Sequence, residues 1–578
     1  MAGGLLNLIA IGNQNIILTG NPTKSFFKTK YSKYTNFGMQ KFRIDQTGQT
    51  NIDLTKETKY RFKIARYGDL LMDTFLVVTL PNIWSPIYKY TNLDLPGTSN
   101  DFFEYRPYEF QWIKNIGSQI IKEVQFTIGG HLIQKYSGSY IQNVVERDFD
   151  NNKKNLFNIM TGNTKELNDP ANYANRNNNY PNAFNPDNTD ISGIEPSIPE
   201  TQIYIPINSW YSMISTMAFP LICLQYSEFE IEFILNPIEK LFTIKDVIYD
   251  FSNNNLNIIP KTYDNLPRIK PLSNKNEVYS FYKFIQPPAV RDICNNYIYE
   301  NKLNNINPDI HLITTQCFLD NEERTLFANN IQEYLIKIVY EYPFDIKQQS
   351  GKVKLESNGL VSNWMWYFQR SDVEDRNEWC NYSNWPYENK IPNSLKELKN
   401  EINLENIYYP YLENYVLDSS KNIYYTGYTP NTNEQQNHKD ILKNFAIIVD
   451  GAYREKEFPS GIYDKIEKYN KTLGNVKEGL YNYNFSLYND PYKIQPSGAF
   501  NTNKFKTIEF EYNLVSNPPF DLSSVYFSTI CDPETGEIIA TSKDPGTIYK
   551  YNYKLHIYEE RYNILKFQSG IADLIYSR

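Results

Sequence analysis

The sequence predicts an all-β protein built of large sandwich or barrel domains, on three observations. Several stretches alternate apolar and polar residues with period two, the pattern of a strand with one buried face. Aromatic residues make up 15% of the chain, with 49 Tyr and 33 Phe, side chains that suit a pleated, half-buried surface. Turn residues recur between these stretches, and helical periodicity is nearly absent. At 578 residues, the chain accommodates two all-β domains of about 200–250 residues each.

In order, residues 1–25 read as an arm ending in the turn Thr19-Gly20-Asn21-Pro22. The first domain is expected over 26–237. Tyr60, Phe62 and Ile64 alternate with Lys59, Arg61 and Lys63, and Leu70 to Leu80 is apolar on both faces, as in a central strand. Val124, Phe126 and Ile128 alternate up to the Gly129-Gly130 turn. Residues 150–200 are crowded with Asn, Asp and Pro and lack periodicity, so they read as an exposed insertion, functional or disordered. Pro206 to Leu235 closes the domain, and a connector punctuated by Pro260, Pro267, Pro271, Pro287 and Pro288 fills 238–308.

The second domain is expected over 309–578, opening at His311 to Leu319. Tyr334, Ile336, Ile338 and Tyr340, then Trp364, Trp366 and Phe368, continue the strand pattern. A second insertion, about 372–440, holds one short helix from Ser394 to Ile402, with Ser394 as cap and Glu397 at the capping-box position. Next come Phe445 to Val449, the strand around Tyr483 to Leu487, and the corner Gln495-Pro496-Ser497-Gly498, where Gly498 is expected to hold φ > 0. Ile508, Phe510, Tyr512 and Leu514 alternate with Glu509, Glu511 and Asn513, and Tyr549 to Phe567 supplies the last strand. Phe229, Ile231, Phe233 and Leu235 repeat the Ile508–Leu514 pattern half a chain earlier, which suggests two domains of one type.

Net charge is −8, so there is no basic footprint for direct nucleic-acid binding. The five cysteines, Cys223, Cys294, Cys317, Cys380 and Cys531, are widely spaced and odd in number. That argues against a disulfide framework or a zinc site and fits a reducing compartment. The first residues lack the basic segment and apolar length of a secretory signal. There is no Gly-x-Ser-x-Gly elbow, phosphate-binding loop or His-Glu-x-x-His. His131, His311, His438 and His556 are scattered and read as structural or surface residues. No catalytic, cofactor or metal residue is therefore assigned. Glu228-Glu230-Glu232 and Glu509-Glu511 could hold a glycosidase pair, but a solvated strand face explains them more simply. Trp379 to Trp385 could stack sugars, against a plainer reading as packing under a long loop or at an interface. A carbohydrate-binding protein and a β-rich glycoside hydrolase are the alternatives carried forward.

Five groups of residues, in order, carry a resemblance. They are Gly3-Gly4-Leu5-Leu6 through Gly20-Asn21-Pro22 to Tyr34-Thr35-Asn36-Phe37; Phe219-Pro220-Leu221-Ile222-Cys223-Leu224-Gln225-Tyr226; Phe318-Leu319-Asp320 with Glu322-Glu323-Arg324 and Glu333-Tyr334-Leu335-Ile336; Asn484-Phe485-Ser486-Leu487 with Gln495-Pro496-Ser497-Gly498 and Asn501; and Tyr562-Asn563-Ile564-Leu565-Lys566 with Ser569-Gly570. On these the chain resembles the double jelly-roll major capsid proteins of nucleocytoplasmic large DNA viruses. It departs where the family usually shows a Ser-Arg pair after Asn501; here stand Asn503 and Lys504.

The resemblance implies two tandem eight-stranded antiparallel jelly rolls with long loop insertions. It implies homotrimeric, pseudo-hexagonal capsomers that tile an icosahedral virion shell and are assembled in host cytoplasm. Neighbouring capsomers, minor capsid and penton proteins and an internal membrane are the implied partners, with no cofactor and no enzymatic activity. Gly20, Asn21, Pro22, Gln495, Pro496, Ser497, Gly498 and Asn501 are the structural positions of the shared motifs.

Overall fold

A computed structural model describes residues 35–91, 103–181, 195–245, 280–287, 302–385, 439–515 and 551–576, apart from single positions, with short pieces elsewhere. Alternation becomes strand as expected. In Thr58–Lys63 the side chains of Thr58, Tyr60 and Phe62 are buried, while Lys59, Arg61 and Lys63 face solvent. Phe229–Leu235 and Ile508–Leu514 both bury every second residue.

The first half holds eight principal strands: β1 (Phe37–Asp45), β2 (Thr58–Lys63), β3 (Leu70–Leu80), β4 (Ile121–Ile128), β5 (His131–Ser137), β6 (Thr201–Pro206), β7 (Phe229–Leu235) and β8 (His311–Leu319). They form two antiparallel sheets in the orders β1-β8-β3-β6 and β2-β7-β4-β5. The second half repeats the plan with β9 (Gln332–Ile346), β10 (Ser350–Leu355), β11 (Leu360–Arg370), β12 (Leu442–Val449), β13 (Ala452–Pro459), β14 (Leu480–Asn484), β15 (Ile508–Leu514) and β16 (Tyr553–Gln568). Its sheets run β9-β16-β11-β14 and β10-β15-β12-β13. Adding eight to each label converts one half into the other. Each half is thus an eight-stranded jelly roll of two packed sheets. The paired patterns at Phe229 and Ile508 belong to the seventh strand of each roll.

Three expectations are corrected. His311–Leu319 does not open the second roll. It pairs with β1 and β3 and completes the first, because its partner edge at Phe37–Asp45 needs an eighth strand. The step between the rolls is a helix, Asn321–Asn329, N-capped by Asp320. Second, the described part of residues 150–200 carries helix. Helix α1 (Gly138–Asp148) leads into α2 (Asn151–Met160), capped by the Asp150 carboxylate, which accepts from Lys153 N at 2.8 Å. Third, the connector contributes to the first core: Phe242–Lys245 pairs with Phe110–Trp112, and Phe110 stacks on Phe242. The expected helix Ser394–Ile402 lies outside the described residues.

The second roll has its own core, centred on Trp364, Trp366, Phe445 and Phe510 and joined by Leu6 of the arm. The first core does not stop at its own roll. It continues through Ile336, Ile338, Met365, Tyr367, Tyr558 and Phe567 of the second. Strand β11 makes this visible: Trp364, Trp366 and Phe368 face their own core, and Met365 and Tyr367 face the neighbouring roll. Sheet β9-β16-β11-β14 is therefore buried on both sides over this region.

Candidate functional site: the buried seam

The most heavily built polar constellation lies where the rolls meet, and α1 carries half of it. Ser137 caps α1, its hydroxyl accepting from Tyr140 N at 3.2 Å. At Gly138 an added Cβ would run into the carbonyl oxygens of Ser118 and Ile121, so glycine permits the helix to lie this close. At the other end Gly474 of the second roll donates its N–H to Arg147 O at 3.0 Å, satisfying a C-terminal carbonyl that the helix leaves open.

Arg147 is fully buried. Its guanidinium donates to both Asp148 oxygens (2.8 and 2.7 Å), to Asn363 Oδ1 (2.9 Å) and to Glu560 Oε1 (2.7 Å). Glu560 also accepts from Asn363 Nδ2 (2.7 Å) and the Tyr140 hydroxyl (2.9 Å). Lys337 Nζ lies 3.8 Å from Glu560 and donates to Asn489 Oδ1 at 2.8 Å, while Asn489 Nδ2 donates to Asp148 Oδ1 at 3.0 Å. Two cations thus face two carboxylates, one pair from each roll counted across the seam: Arg147 and Asp148 from the first, Lys337 and Glu560 from the second. Burial alone would raise the Glu560 carboxyl; the Arg147 and Lys337 charges and the Asn363 bond outweigh it and hold it at about 2. A buried, balanced network of this kind is strongly destabilised when one partner is removed.

Aromatic rings surround the charges. Tyr382 stacks on Tyr367 at 4.0 Å and donates to Asn143 of α1 at 2.9 Å. Tyr140 packs against Tyr558, and Phe219 against Phe567. A second clasp sits beside them. Asn377 donates to the carbonyls of Glu239 and Phe242 (2.7 and 2.9 Å), and Trp379 Nε1 to Lys240 O (2.9 Å). The segment is anchored by Asp372, which accepts from Arg370 and Arg376. Burial opposes ionisation of Asp372, but the two guanidiniums hold its carboxyl at about 2. These contacts tie the two rolls together along the seam.

Trp379 therefore packs between the rolls, the interface packing of its plainer reading, while Trp385 is 43% exposed. The acidic rows are cross-strand partners: Glu232 pairs with Arg61 at 3.1 Å and Lys59 at 3.6 Å, Glu228 with Lys63, and Glu511 with Lys352 at 3.7 Å. Gln495, Pro496, Ser497 and Gly498 form the corner that carries the chain from β14 in one sheet to β15 in the other. The Ser497 hydroxyl donates to Tyr488 O at 3.0 Å and accepts from Tyr488 N at 3.3 Å. Gly498 has φ 152°. Asn501 is buried beside β11, and its side chain accepts from Asn503 N at 3.1 Å. The corner is not part of the seam network, and Gly20, Asn21 and Pro22 lie outside the described residues. His556 is partly buried and stacks on Tyr367 at 4.9 Å, and desolvation lowers its pKa to about 4.

Sequence reasoning missed Arg147, Asp148, Lys337, Asn363 and Glu560. The available signal was Glu559-Glu560-Arg561, three charges inside a strand pattern otherwise apolar enough to be buried on both faces. Among the described residues no group of three His, Cys, Asp or Glu could hold a metal, and no helix is long and apolar enough to cross a membrane. Cys223, Cys317 and Cys380 are buried free thiols.

Two jelly rolls in tandem, locked through a shared core, define a double jelly-roll protein. Comparison with known proteins agrees. Residues 25–283 match the profile described as major capsid protein N-terminus, and residues 323–573 that of the large eukaryotic DNA virus major capsid protein. The major capsid protein of Chrysochromulina ericina virus is 28% identical over 64% of this chain and 58% of its own length. Capsid protein 1 of Acanthamoeba polyphaga mimivirus is 27% identical over 69% and 54%. The matches thus span less than two thirds of these relatives. The major capsid protein of Paramecium bursaria Chlorella virus 1 is 23% identical over the whole of both chains. The fold is similar to that in the PBCV-1 capsid (TM-score 0.55, 17% identity, 96% of this chain and 100% of that one). It is also similar to the Faustovirus major capsid protein (TM-score 0.56, 11% identity, 94% and 93%). The chain belongs to the major capsid protein family of large eukaryotic DNA viruses.

Proposed function

We propose that this chain is a non-enzymatic shell subunit, three copies of which form a pseudo-hexagonal capsomer of an icosahedral virion. The observation that carries this reading is the seam itself. Within one chain, the β5 side of the first roll packs on sheet β9-β16-β11-β14 of the second, with Ser137 N donating to Glu341 Oε1 at 2.7 Å. Among the described residues, the equivalent surfaces at the two ends stay uncovered: β1 on the first roll, with Phe37 and Met39 exposed, and β13 on the second, with Tyr453 and Phe458 exposed. Because the rolls share one topology, an end-to-end contact repeats the internal one in form. Three such contacts close a ring. Minor capsid and penton proteins and an internal membrane fit the same reading as outer partners of the ring.

Sedimentation of the folded protein tests it. The expected species is three times the 68.0 kDa chain, appearing as threefold particles in micrographs. A stable monomer at micromolar concentration would sink the proposal.

A further inference from the structure

Asn358-Gly359 is the single Asn-Gly step in the chain. In such a step the glycine nitrogen can reach the side-chain amide carbon, since no Cβ obstructs it. Here both reacting groups are held. Arg561 Nη1 donates to Asn358 Oδ1 at 2.6 Å, so the oxygen that gains charge when a nucleophile adds to Cγ faces a guanidinium. The Gly359 N–H donates to Asn503 Oδ1 at 2.7 Å, which holds the nucleophile's proton and lone pair away from Cγ. Thr502 fixes the clamp, its N–H and hydroxyl donating to Gly359 O at 2.9 and 3.1 Å. Asn358 is exposed, and the group lines a cavity of about 300 Å³ with Tyr340 and Tyr562, so water has access.

We propose that Asn358-Gly359 is a self-modification site, primed by Arg561 and restrained by Asn503. Gly359 N bonds to Asn358 Cγ, the Cγ–Nδ2 bond breaks, and the amide leaves as ammonia with the proton from Gly359. Water then opens the five-membered imide at either carbonyl, giving aspartate or isoaspartate at position 358. The product sets a carboxylate beside Arg561; the isoaspartate form also lengthens the backbone at the entry to β11, the strand that serves both cores.

Peptide mapping of the full-length folded protein at neutral pH reads this as a peptide one mass unit heavier. One hydrogen bond restrains the nucleophile, so Asn503→Ala should deamidate roughly five- to tenfold faster than wild type. Asn503→Asp keeps an acceptor and should stay near the wild-type rate, and wild type held in denaturant should convert faster than folded wild type. A folded Asn503→Ala protein no faster than wild type would overturn the proposal. If that variant does not fold, equal rates for folded and denatured wild type overturn it instead.

Discussion

Glu560→Gln isolates the charge in the seam. The amide keeps the size of the carboxylate and can still bond the Tyr140 hydroxyl and Asn363, but Arg147 and Lys337 then face Asp148 alone. The Glu560 carboxyl sits at about 2 against an ordinary 4.5, and one pH unit corresponds to ~1.4 kcal/mol. The charged group therefore contributes about 3 kcal/mol at neutral pH by linkage. The sign follows from the direction. A folded pKa below the unfolded one gives stability that is full above 4.5 and is lost as pH falls through 2. Denaturant midpoints at fixed protein concentration, from neutral pH down to pH 3, should show wild type losing roughly 2 kcal/mol of this increment, the rest going below pH 3. The Gln variant should start about 3 kcal/mol lower and have a flatter acid limb. A variant as stable as wild type at neutral pH, or one with the same acid slope, would refute the view that the seam is held by charge.

Lys468 provides the opposite sign. It is buried near Glu146 and Asp464 with no hydrogen-bond partner for Nζ among the described residues, and burial lowers its pKa to about 8. Lys468→Met should raise neutral-pH stability by up to about 3 kcal/mol, and the gain should shrink above pH 8 as the wild-type amine becomes neutral; a loss of stability at all pH values would contradict this. Gly498→Val forces a β-branched residue to φ 152° and brings its Cβ to 2.7 Å from Phe485 O. It should cost ~1–3 kcal/mol and lower folding yield, so unchanged melting temperature and yield would show no strain there. Gly474→Ala places a methyl against the Arg147 and Glu146 carbonyls, and should destabilise by ~1–3 kcal/mol while leaving each roll's strand content intact by circular dichroism.

Strands were legible where one face is wet. At Thr58–Lys63 and Ile508–Leu514 the polar face is solvent and the period is visible in the residues themselves. Helix α1 was illegible for the converse reason. Gln142, Asn143, Glu146, Arg147 and Asp148 are buried, and their partners at 363, 382 and 560 are hundreds of residues away, so a polar run gave no sign of an interior. The roll boundary failed in a third way. The pattern of His311–Leu319 identifies a strand, but period two does not say which sheet a strand joins, and its partner lies near residue 40. The jelly-roll order itself came from the resemblance rather than from periodicity.

The pairing of β1 with β8 also sets a timetable for synthesis. Residue 45 leaves the ribosome 274 residues before 319, and at roughly 5–20 residues per second that interval is on the order of tens of seconds. Throughout it the edge of β1 has no mate, and the apolar outer side of the first roll waits still longer, until β16 arrives near the end of translation. A nascent chain in this state is adhesive toward its own copies on neighbouring ribosomes. Productive yield should therefore depend on polysome spacing and chaperone supply, and slowing initiation should help more than slowing elongation.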